Sequence, residues 1–208
     1  MPKGYSVADV PPCYAAANAI AARSPSGTLV VTMGTGTRGV VFAPISWGDA
    51  SDWKRQARGL AAAGYRVASL SWGKERGQSI RDAVETLLAS GVLDVVVVGA
   101  CAGGTAALNQ APLIVPRIQG LVAVSPLLSV AGVSVGAAFA EYAGPVLLIG
   151  TDRDPLTPAS ALQDIDQMRS VRSKLIVLKG EQHGADIFND PALGATAQRA
   201  LDEFLATC

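Results

Sequence analysis

The sequence predicts an α/β protein with a doubly wound, mostly parallel sheet and helices on both faces. Two observations lead to this prediction: short apolar runs recur along the chain, and segments with helical spacing of apolar residues lie between them. The run Val95-Val96-Val97-Val98 does not alternate apolar with polar residues. Such continuity is typical of a parallel strand that is covered on both sides by helices. Right-handed crossovers between these strands then build the sheet.

The predicted strands are short apolar runs, and they are Leu29–Met33, Arg66–Leu70, Val95–Val98, Leu121–Val124, Val146–Ile149 and Leu175–Leu178. The predicted helices carry their apolar residues on one stripe, and they are Asp52–Ala63, Ser79–Ala89, Ala102–Gln110, Pro158–Met168 and Pro191–Ala206. Several begin after a Ser, Thr or Asp cap. The connection Ser125–Gly144 has no clear pattern. We expect it to form a short helix over the functional site, and it is too short for a lid domain.

Length and charge limit the class of protein. The chain has 208 residues, 50% of them hydrophobic, and its 17 basic and 17 acidic side chains give a formal net charge of zero. We expect one domain over residues 1–208, because domains average roughly 150 residues. The zero net charge disfavours a nucleic-acid partner, and the high hydrophobicity argues against disorder.

The apolar stretches also argue against a membrane protein. Charged residues interrupt them well before the roughly 18 residues that a membrane span needs, and the first ten residues contain no apolar block typical of a signal peptide. We therefore expect a soluble, cytoplasmic protein. The sequence favours no particular oligomeric state.

The three cysteines are Cys13, Cys101 and Cys208. They are far apart, form no Cys-x-x-Cys pair and have only one histidine to accompany them, so we expect neither a disulfide framework nor a metal site. Cys13 lies in a Pro-rich opening and Cys208 is the last residue, and both are interpreted as incidental. Cys101 differs because it lies among glycines.

Cys101 lies in the segment Gly99-Ala100-Cys101-Ala102-Gly103-Gly104, which follows a predicted strand and opens a predicted helix. A nucleophile on a strained strand-to-helix turn needs very small residues two positions before and after it, and Gly99 and Gly103 meet that need. The positive end of the helix favours the thiolate over the thiol. The segment therefore predicts a nucleophile elbow. The alternative is an ordinary glycine-rich turn with a buried cysteine.

Two more residues follow predicted strands at the same edge of the sheet. Asp154 comes after Val146–Ile149, and His183, the sole histidine, comes after Leu175–Leu178. The order nucleophile, acid, histidine places all three just past the carboxyl ends of parallel strands, where their side chains can converge. We therefore predict a triad of Cys101, His183 and Asp154. Asp152 and Asp186 are the competing acids; Asp154 is preferred because its neighbouring prolines fix the loop.

The segment Gly34-Thr35-Gly36-Thr37-Arg38-Gly39 matches the G-x-G-x-x-G fingerprint of a dinucleotide site. Its context argues against that function. The residues from Val40 to Pro44 are a poor start for the required helix, and no acidic residue ends the next predicted strand. We therefore expect no nucleotide cofactor.

On these residues the chain resembles the α/β-hydrolase superfamily over nearly its whole length. The Gly99–Gly104 segment is similar to the G-x-C-x-G-G elbow of the dienelactone hydrolases, whereas most α/β-hydrolases carry serine as the nucleophile. The resemblance implies a compact α/β-hydrolase fold, the triad above, an ester, lactone or thioester substrate and no cofactor.

The resemblance also suggests how the transition state and the substrate are held. Many members have His-Gly after the first strand, where this chain reads Met33-Gly34. Backbone N–H groups serve as oxyanion donors in that loop, so we assign the oxyanion hole to the N–H groups of Thr35 and Ala102. Three further residues lie beyond or at the end of predicted strands and are candidate substrate contacts, with Arg38 as a carboxylate clamp: Arg38, Trp47 and Trp72. The alternatives are packing or loop anchoring for the two tryptophans and a solvated surface position for Arg38.

The resulting hypothesis is a hydrolase that forms an acyl intermediate on Cys101 with a small-molecule acyl substrate. An acyltransferase or cyclising enzyme on the same triad is one alternative, because an acyl-thioester also reacts with acceptors other than water. A non-catalytic binding protein that kept the fold is another, since fold alone does not fix function.

Overall fold

The computed structural model describes residues 1–116, 118–130, 133–171 and 173–208. Its strands, numbered in chain order, are β1 (Ser6–Ala8), β2 (Ile20–Arg23), β3 (Leu29–Met33), β4 (Arg38–Ala43), β5 (Arg66–Ser71), β6 (Asp94–Ala100), β7 (Gly120–Val124), β8 (Ser129–Val130), β9 (Val133–Ser134), β10 (Val146–Thr151) and β11 (Lys174–Leu178). Its α-helices are α1 (Lys54–Ala62), α2 (Arg76–Leu88), α3 (Ala102–Gln110), α4 (Ala137–Ala140), α5 (Ala159–Gln167), α6 (Asp186–Asn189) and α7 (Gly194–Thr207). Short 3₁₀ turns cover Pro12–Ala17, Ala50–Trp53 and Ala111–Leu113.

A nine-stranded sheet has the order β1-β2-β3-β5-β4-β6-β7-β10-β11. The six strands from β5 to β11 in this order are parallel, and β1, β2 and β3 join them as antiparallel neighbours. The predicted mostly parallel sheet is therefore confirmed. The carboxyl ends of β4, β6, β7, β10 and β11 meet at one edge, which is where parallel sheets place ligands.

Helices cover both faces of the sheet, and the central strand β6 shows why its sequence is continuously apolar. Val96 and Val98 belong to the core on one face, which also contains Trp53 and residues of α1, α6 and α7. Val95 and Val97 belong to the core on the other face, with residues of α2, α3 and α5. The chain thus has the doubly wound arrangement that the sequence predicts.

The predicted elements all form, with ends that shift by at most three residues. Three strands of the main sheet lie outside the prediction, namely β1, β2 and β4. Of these, β4 matters most for function, because it lies between β5 and β6 with Val40, Val41 and Phe42 fully buried. In the 125–144 connection the β8–β9 hairpin and α4 form, and α4 packs against α3 with Phe139 in the core.

Candidate active site

Cys101 occupies the single residue between β6 and α3 and adopts a left-handed backbone conformation, with φ of 52°. Its N–H donates to the carbonyl of Val124 at 2.9 Å, and its carbonyl accepts from Thr105 N at 3.0 Å. These bonds tie the residue to the neighbouring strand and to the first turn of the helix. Since a left-handed conformation is strained for any residue with a Cβ, the surrounding structure must impose it.

The two glycines that flank Cys101 are required by close backbone contacts. A Cβ on Gly99 would lie 2.3 Å from the carbonyl oxygen of Gly103. A Cβ on Gly103 would lie 2.5 Å from the oxygen of Pro44 and 2.7 Å from that of Ala43. The elbow therefore packs directly against the chain that leaves β4, and only glycine fits at either position.

His183 and Asp154 form a hydrogen-bonded pair next to the elbow. Nδ1 of His183 lies 2.8 Å from Oδ2 of Asp154, whose side chain is fully buried. The other carboxylate oxygen, Oδ1, accepts from the N–H groups of Leu156 at 2.9 Å and Thr157 at 3.1 Å. Because both oxygens of Asp154 are held, the carboxylate has a fixed orientation toward the ring.

The second ring nitrogen of His183, Nε2, is buried and makes no hydrogen bond of ordinary geometry within the described ranges. It is therefore not committed to a structural partner. The next residue, Gly184, lies against the elbow, since a Cβ placed on it would be 3.8 Å from Cβ of Cys101. The structure thus brings together the three residues that the sequence predicts as a triad.

The competing acids have other partners. Oδ1 of Asp152 accepts from the N–H of Gly180 at 2.9 Å, which fixes the start of the histidine loop. Asp186 begins α6 and lines a small cleft of about 340 Å³ that also reaches His183. The acid paired with the imidazole in this structure is Asp154.

Cys101 and His183 shift each other's pKa. Burial opposes the thiolate, but interaction with His183, followed by that with Ser46 and with the N–H of Ala102, outweighs it and lowers the pKa of Cys101 below its usual value. Burial likewise opposes the imidazolium, but interaction with Cys101 and then Asp154 raises the pKa of His183. Both shifts favour a thiolate–imidazolium pair, the activated form of a cysteine nucleophile.

Ser46 is a site residue that the sequence reasoning missed. Its Oγ lies 3.7 Å from Sγ of Cys101, within the range of a hydrogen bond to sulfur. Ser46 follows β4, so the signal that points to it is the short apolar run Val40–Ala43 ended by Pro44. Ala102 begins α3, and its N–H also interacts with Cys101.

Thr35 does not reach the elbow. It follows β3, which runs antiparallel to β5, so the end of β3 lies at the edge opposite the carboxyl ends of the parallel strands. There Gly34 and Gly36 pack against the backbone of Tyr65 and Gly64, which precede β5. The assignment of Thr35 as an oxyanion donor is therefore corrected. The glycines of this segment serve a close turn, and the segment leads into a strand, β4, where a dinucleotide site needs a helix.

Arg38 is also remote from Cys101. It is the first residue of β4, at the opposite edge, where its guanidinium donates to the carbonyl of Leu205 and lies over the ring of Tyr65. These contacts attach Arg38 to α7 and to the residue that precedes β5, at this edge of the sheet. The prediction that Arg38 contacts the substrate is therefore wrong, for the same reason as that for Thr35.

A cavity of about 740 Å³ opens beside the elbow, and the predicted residues Trp47 and Trp72 line it. Trp47 is 95% exposed at its rim, whereas Trp72 donates from Nε1 to the carbonyl of Ile45 at 2.9 Å. Ser46 and Ala102, which both interact with Cys101, contribute to the wall, and so does Val130 of β8, whereas no α4 side chain that the structure describes does. The expectation that the short helix covers the site is therefore corrected.

Arg76 is the basic residue of this cavity that the sequence reasoning overlooked. Its guanidinium lies over the ring of Trp72, 5.7 Å from the centroid, and makes a 3.4 Å hydrogen bond to the carbonyl of Ser46. Its Nε is buried without a partner among the described residues. Lys74 and Arg81 also line the cavity, and among the lining residues that the structure describes Glu75 is the single acidic one. The wall is thus net basic.

Within the described ranges no group of three or more His, Cys, Asp and Glu side chains could hold a metal ion. Over the same ranges no helix combines the length and the apolar character needed to cross a bilayer.

Comparisons with known proteins place the fold. No family model and no curated protein sequence matches the chain. Among solved structures, it is similar to an esterase from Pyrococcus furiosus, with a TM-score of 0.76 and 15% identity over 97% of this chain and 95% of that one. It is similar to a dienelactone hydrolase from Anabaena variabilis, with a TM-score of 0.72 and 18% identity over 87% and 92%. It is also similar to a monoacylglycerol lipase from Paleococcus ferrophilus, with a TM-score of 0.70 and 17% identity over 86% and 98%. The chain therefore has the α/β-hydrolase fold.

Proposed function

We propose that this protein hydrolyses a small-molecule carboxylic ester, lactone or thioester through an acyl intermediate on Cys101. The observation that carries the proposal is the convergence of Cys101 with the His183–Asp154 pair beside the large cavity. The fold shared with an esterase, a lipase and a dienelactone hydrolase supports ester hydrolysis as the reaction.

In the first half of the reaction the sulfur of Cys101 attacks the carbonyl carbon of the substrate. A C–S bond forms, and the carbonyl π electrons move onto oxygen. When this intermediate collapses, the bond to the leaving group breaks, and Nε2 of His183 gives its proton to the departing oxygen or sulfur. Asp154 holds the ring so that Nε2 faces the reacting atoms and stabilises the charged imidazole.

In the second half water hydrolyses the acyl-thioester. His183 takes a proton from the water, the hydroxyl oxygen attacks the acyl carbon, and the C–S bond breaks to release the acid and the thiolate. The cleft of about 340 Å³ that His183 lines offers water a route to the imidazole. If an amine or alcohol replaces water here, the same residues give acyl transfer.

The N–H of Ala102 is the first donor to the oxyanion, because it begins α3 and is not used inside the helix. The second donor comes from the loop after β4, because the elbow packs on that loop through Gly103. This assignment replaces the one to Thr35.

The basic wall of the cavity favours an acyl group with a negative charge. Arg76 combines a partnerless buried Nε with a position between Trp72 and Ser46, close to the elbow. A carboxylate on the substrate would give this guanidinium the charge-assisted hydrogen bonds that it lacks.

The test is to incubate the protein with an activated ester and measure its intact mass. We expect a transient acyl adduct on the wild type and on Cys208→Ser, a matched cysteine variant away from the elbow, and none on Cys101→Ala. An adduct of undiminished yield on Cys101→Ala would exclude Cys101 as the nucleophile. Product analysis with and without an added amine separates hydrolysis from acyl transfer.

A further inference from the structure

We propose that the side-chain hydroxyl of Ser46 is a catalytic hydrogen-bond donor that stabilises the negative charge developing on the reacting atoms above Cys101. This inference rests on the proposed function and adds to it a residue type, since backbone N–H groups alone otherwise account for the oxyanion hole.

The first observation is the position of the hydroxyl. Oγ of Ser46 lies 3.7 Å from Sγ of Cys101, and the residue is half-buried in the wall of the large cavity. The carbonyl oxygen of a substrate is separated from the attacking sulfur by the carbonyl carbon alone. A donor at this distance from the sulfur can therefore reach that oxygen once the C–S bond forms.

The second observation is that the loop after β4 has few donors left to offer. Pro44 has no N–H. The N–H of Ile45 donates to Oδ2 of Asp52 at 3.2 Å. Within the described residues, Ser46 is consequently the first residue after β4 that uses neither its N–H nor its hydroxyl to hold the loop, since the contact of its hydroxyl is with the sulfur of Cys101.

The third observation is that the neighbours of Ser46 hold the loop in place. Nε1 of Trp53 donates to the carbonyl of Ala43 at 3.0 Å, and Nε1 of Trp72 donates to that of Ile45 at 2.9 Å. Arg76 donates to the carbonyl of Ser46 itself. Donors whose positions are fixed before the reaction stabilise a developing charge without the cost of reorganisation.

In the step itself Ser46 gives a hydrogen bond and keeps its proton. The sulfur electrons form the C–S bond, and the displaced π pair becomes a lone pair on the oxygen, toward which the Ser46 O–H points. When the intermediate collapses, this pair re-forms the carbonyl, the leaving atom takes its proton from His183, and the Ser46 hydroxyl is unchanged.

The experiment compares Ser46→Ala with Ser46→Thr, and uses Ser129→Ala, an exposed serine on β8, as the matched control. We expect Ser46→Ala to lower kcat for an activated ester by about 10- to 100-fold with KM changed by less than about threefold, because an oxyanion donor acts in the transition state. Ser46→Thr keeps a hydroxyl and should recover most of the rate. Ser46→Ala with kcat within about twofold of wild type would overturn the inference, as would equally low kcat in Ser46→Thr with unchanged melting temperatures.

A second readout is the pH dependence of alkylation of Cys101 by iodoacetamide. Loss of the Ser46 hydroxyl should move the midpoint to higher pH, because the hydroxyl favours the thiolate, whereas Ser129→Ala should leave it unchanged. A midpoint that does not move in Ser46→Ala counts against the inference.

Peptide mapping of the acyl adduct separates this inference from the proposed function. Trypsin places Ser46 in the peptide 39–54 and Cys101 in the peptide 82–117. An acyl group on 82–117 together with an inactive Ser46→Ala supports both. An acyl group on 82–117 with a fully active Ser46→Ala rejects only the role of Ser46, and an acyl group on 39–54 rejects Cys101 as the nucleophile.

Discussion

Asp154 accepts hydrogen bonds on both of its carboxylate oxygens, and only one of them involves the imidazole of His183. Oδ2 lies 2.8 Å from Nδ1 of the ring, while Oδ1 accepts from two backbone N–H groups of its own loop. The loop therefore fixes the carboxylate, and the carboxylate fixes the ring. An acid that is buried and held in this way sets which nitrogen of the imidazole is free to exchange protons.

Replacing the acid should impair the reaction without unfolding the site. We expect Asp154→Asn to lower kcat by roughly 10²- to 10⁴-fold, because an amide leaves the imidazole in the wrong tautomer and does not stabilise its charge. Steady-state kinetics with an activated ester measures the effect. Asp152→Asn is the matched control, since its Oδ1 still accepts from Gly180 N. We expect it to stay within about threefold of wild type; equal losses in the two variants would remove Asp154 from its role.

The thiols should differ in reactivity at neutral pH. Burial alone would raise the pKa of Cys101, but interaction with His183 outweighs burial and lowers it. In Cys208, burial raises the pKa. A lowered pKa means a larger thiolate fraction at pH 7, so iodoacetamide should modify Cys101 faster than Cys208. Mass spectrometry of the separated peptides gives both rates.

The same experiment on His183→Ala serves as its control. Without the imidazole, less interaction offsets the effect of burial, so the pKa of Cys101 should rise. Alkylation of Cys101 should therefore slow at pH 7 and its pH dependence should shift to higher pH. A Cys101 that reacts no faster than Cys208 in the wild type would favour a non-catalytic protein that retains only the fold.

Two arginines at opposite edges of the sheet should affect substrate binding differently. Arg76→Met should raise KM for an ester with a carboxylate in its acyl group by about 10- to 100-fold, because a charge-assisted hydrogen bond contributes about 1.5–3 kcal/mol. For a neutral ester of the same size the change should be small. Arg38→Met removes the same charge at the far edge, beside Leu205 and Tyr65, and should leave both KM values unchanged. Equal KM changes for the charged and neutral esters in Arg76→Met would contradict the basic wall as a recognition element.

The buried carboxylate of Asp82 should make stability depend on pH. It accepts from the hydroxyls of Ser24, Ser26 and Thr28 and from Gln78, and these bonds outweigh burial and lower its pKa. A folded-state pKa below the unfolded value, about 3.9, gives stability that is present above that value and lost as the pH falls through the folded one.

Asp82→Ala should therefore lower the free energy of unfolding at pH 7 by about 3 kcal/mol, because it leaves several buried donors unsatisfied. Urea denaturation at several pH values measures this, and the difference from wild type should shrink toward pH 3. Asp164→Ala, on the exposed side of α5, is the control and should change stability little. A difference that does not vary with pH would show that the lowered pKa of Asp82 contributes nothing to stability.

The convergence of Cys101, Asp154 and His183 could be predicted from sequence because all three residues follow parallel strands. Each strand is a clear apolar run, and parallel strands bring their following loops to a common edge. Cys101, Asp154 and His183 therefore needed no knowledge of tertiary packing beyond strand direction. The tightly packed glycines at 99 and 103 likewise marked the tight turn that carries Cys101.

The loop after β4 could not be placed, because the prediction treated β3 as parallel to the other strands and missed β4. An apolar run such as Leu29–Met33 is the same for a parallel and an antiparallel strand, and β3 is antiparallel to its neighbour β5. The next strand, β4, begins with Arg38 and Gly39 and contains only four consecutive apolar residues before Pro44, so its signal was weak. Missing β4 assigned Thr35 and Arg38 to the wrong edge and left Ser46 unnoticed.

The left-handed backbone of Cys101, with φ of 52°, restricts which side chains this position can evolve to carry. β-branched residues fit such a conformation poorly, so threonine is unsuitable, whereas serine differs from cysteine by one atom. Exchange between cysteine and serine is therefore the short mutational step open at this position. Glycine adopts this conformation without strain, so a protein with glycine at this position would be more stable by about 1 kcal/mol but would lack the reactive side chain.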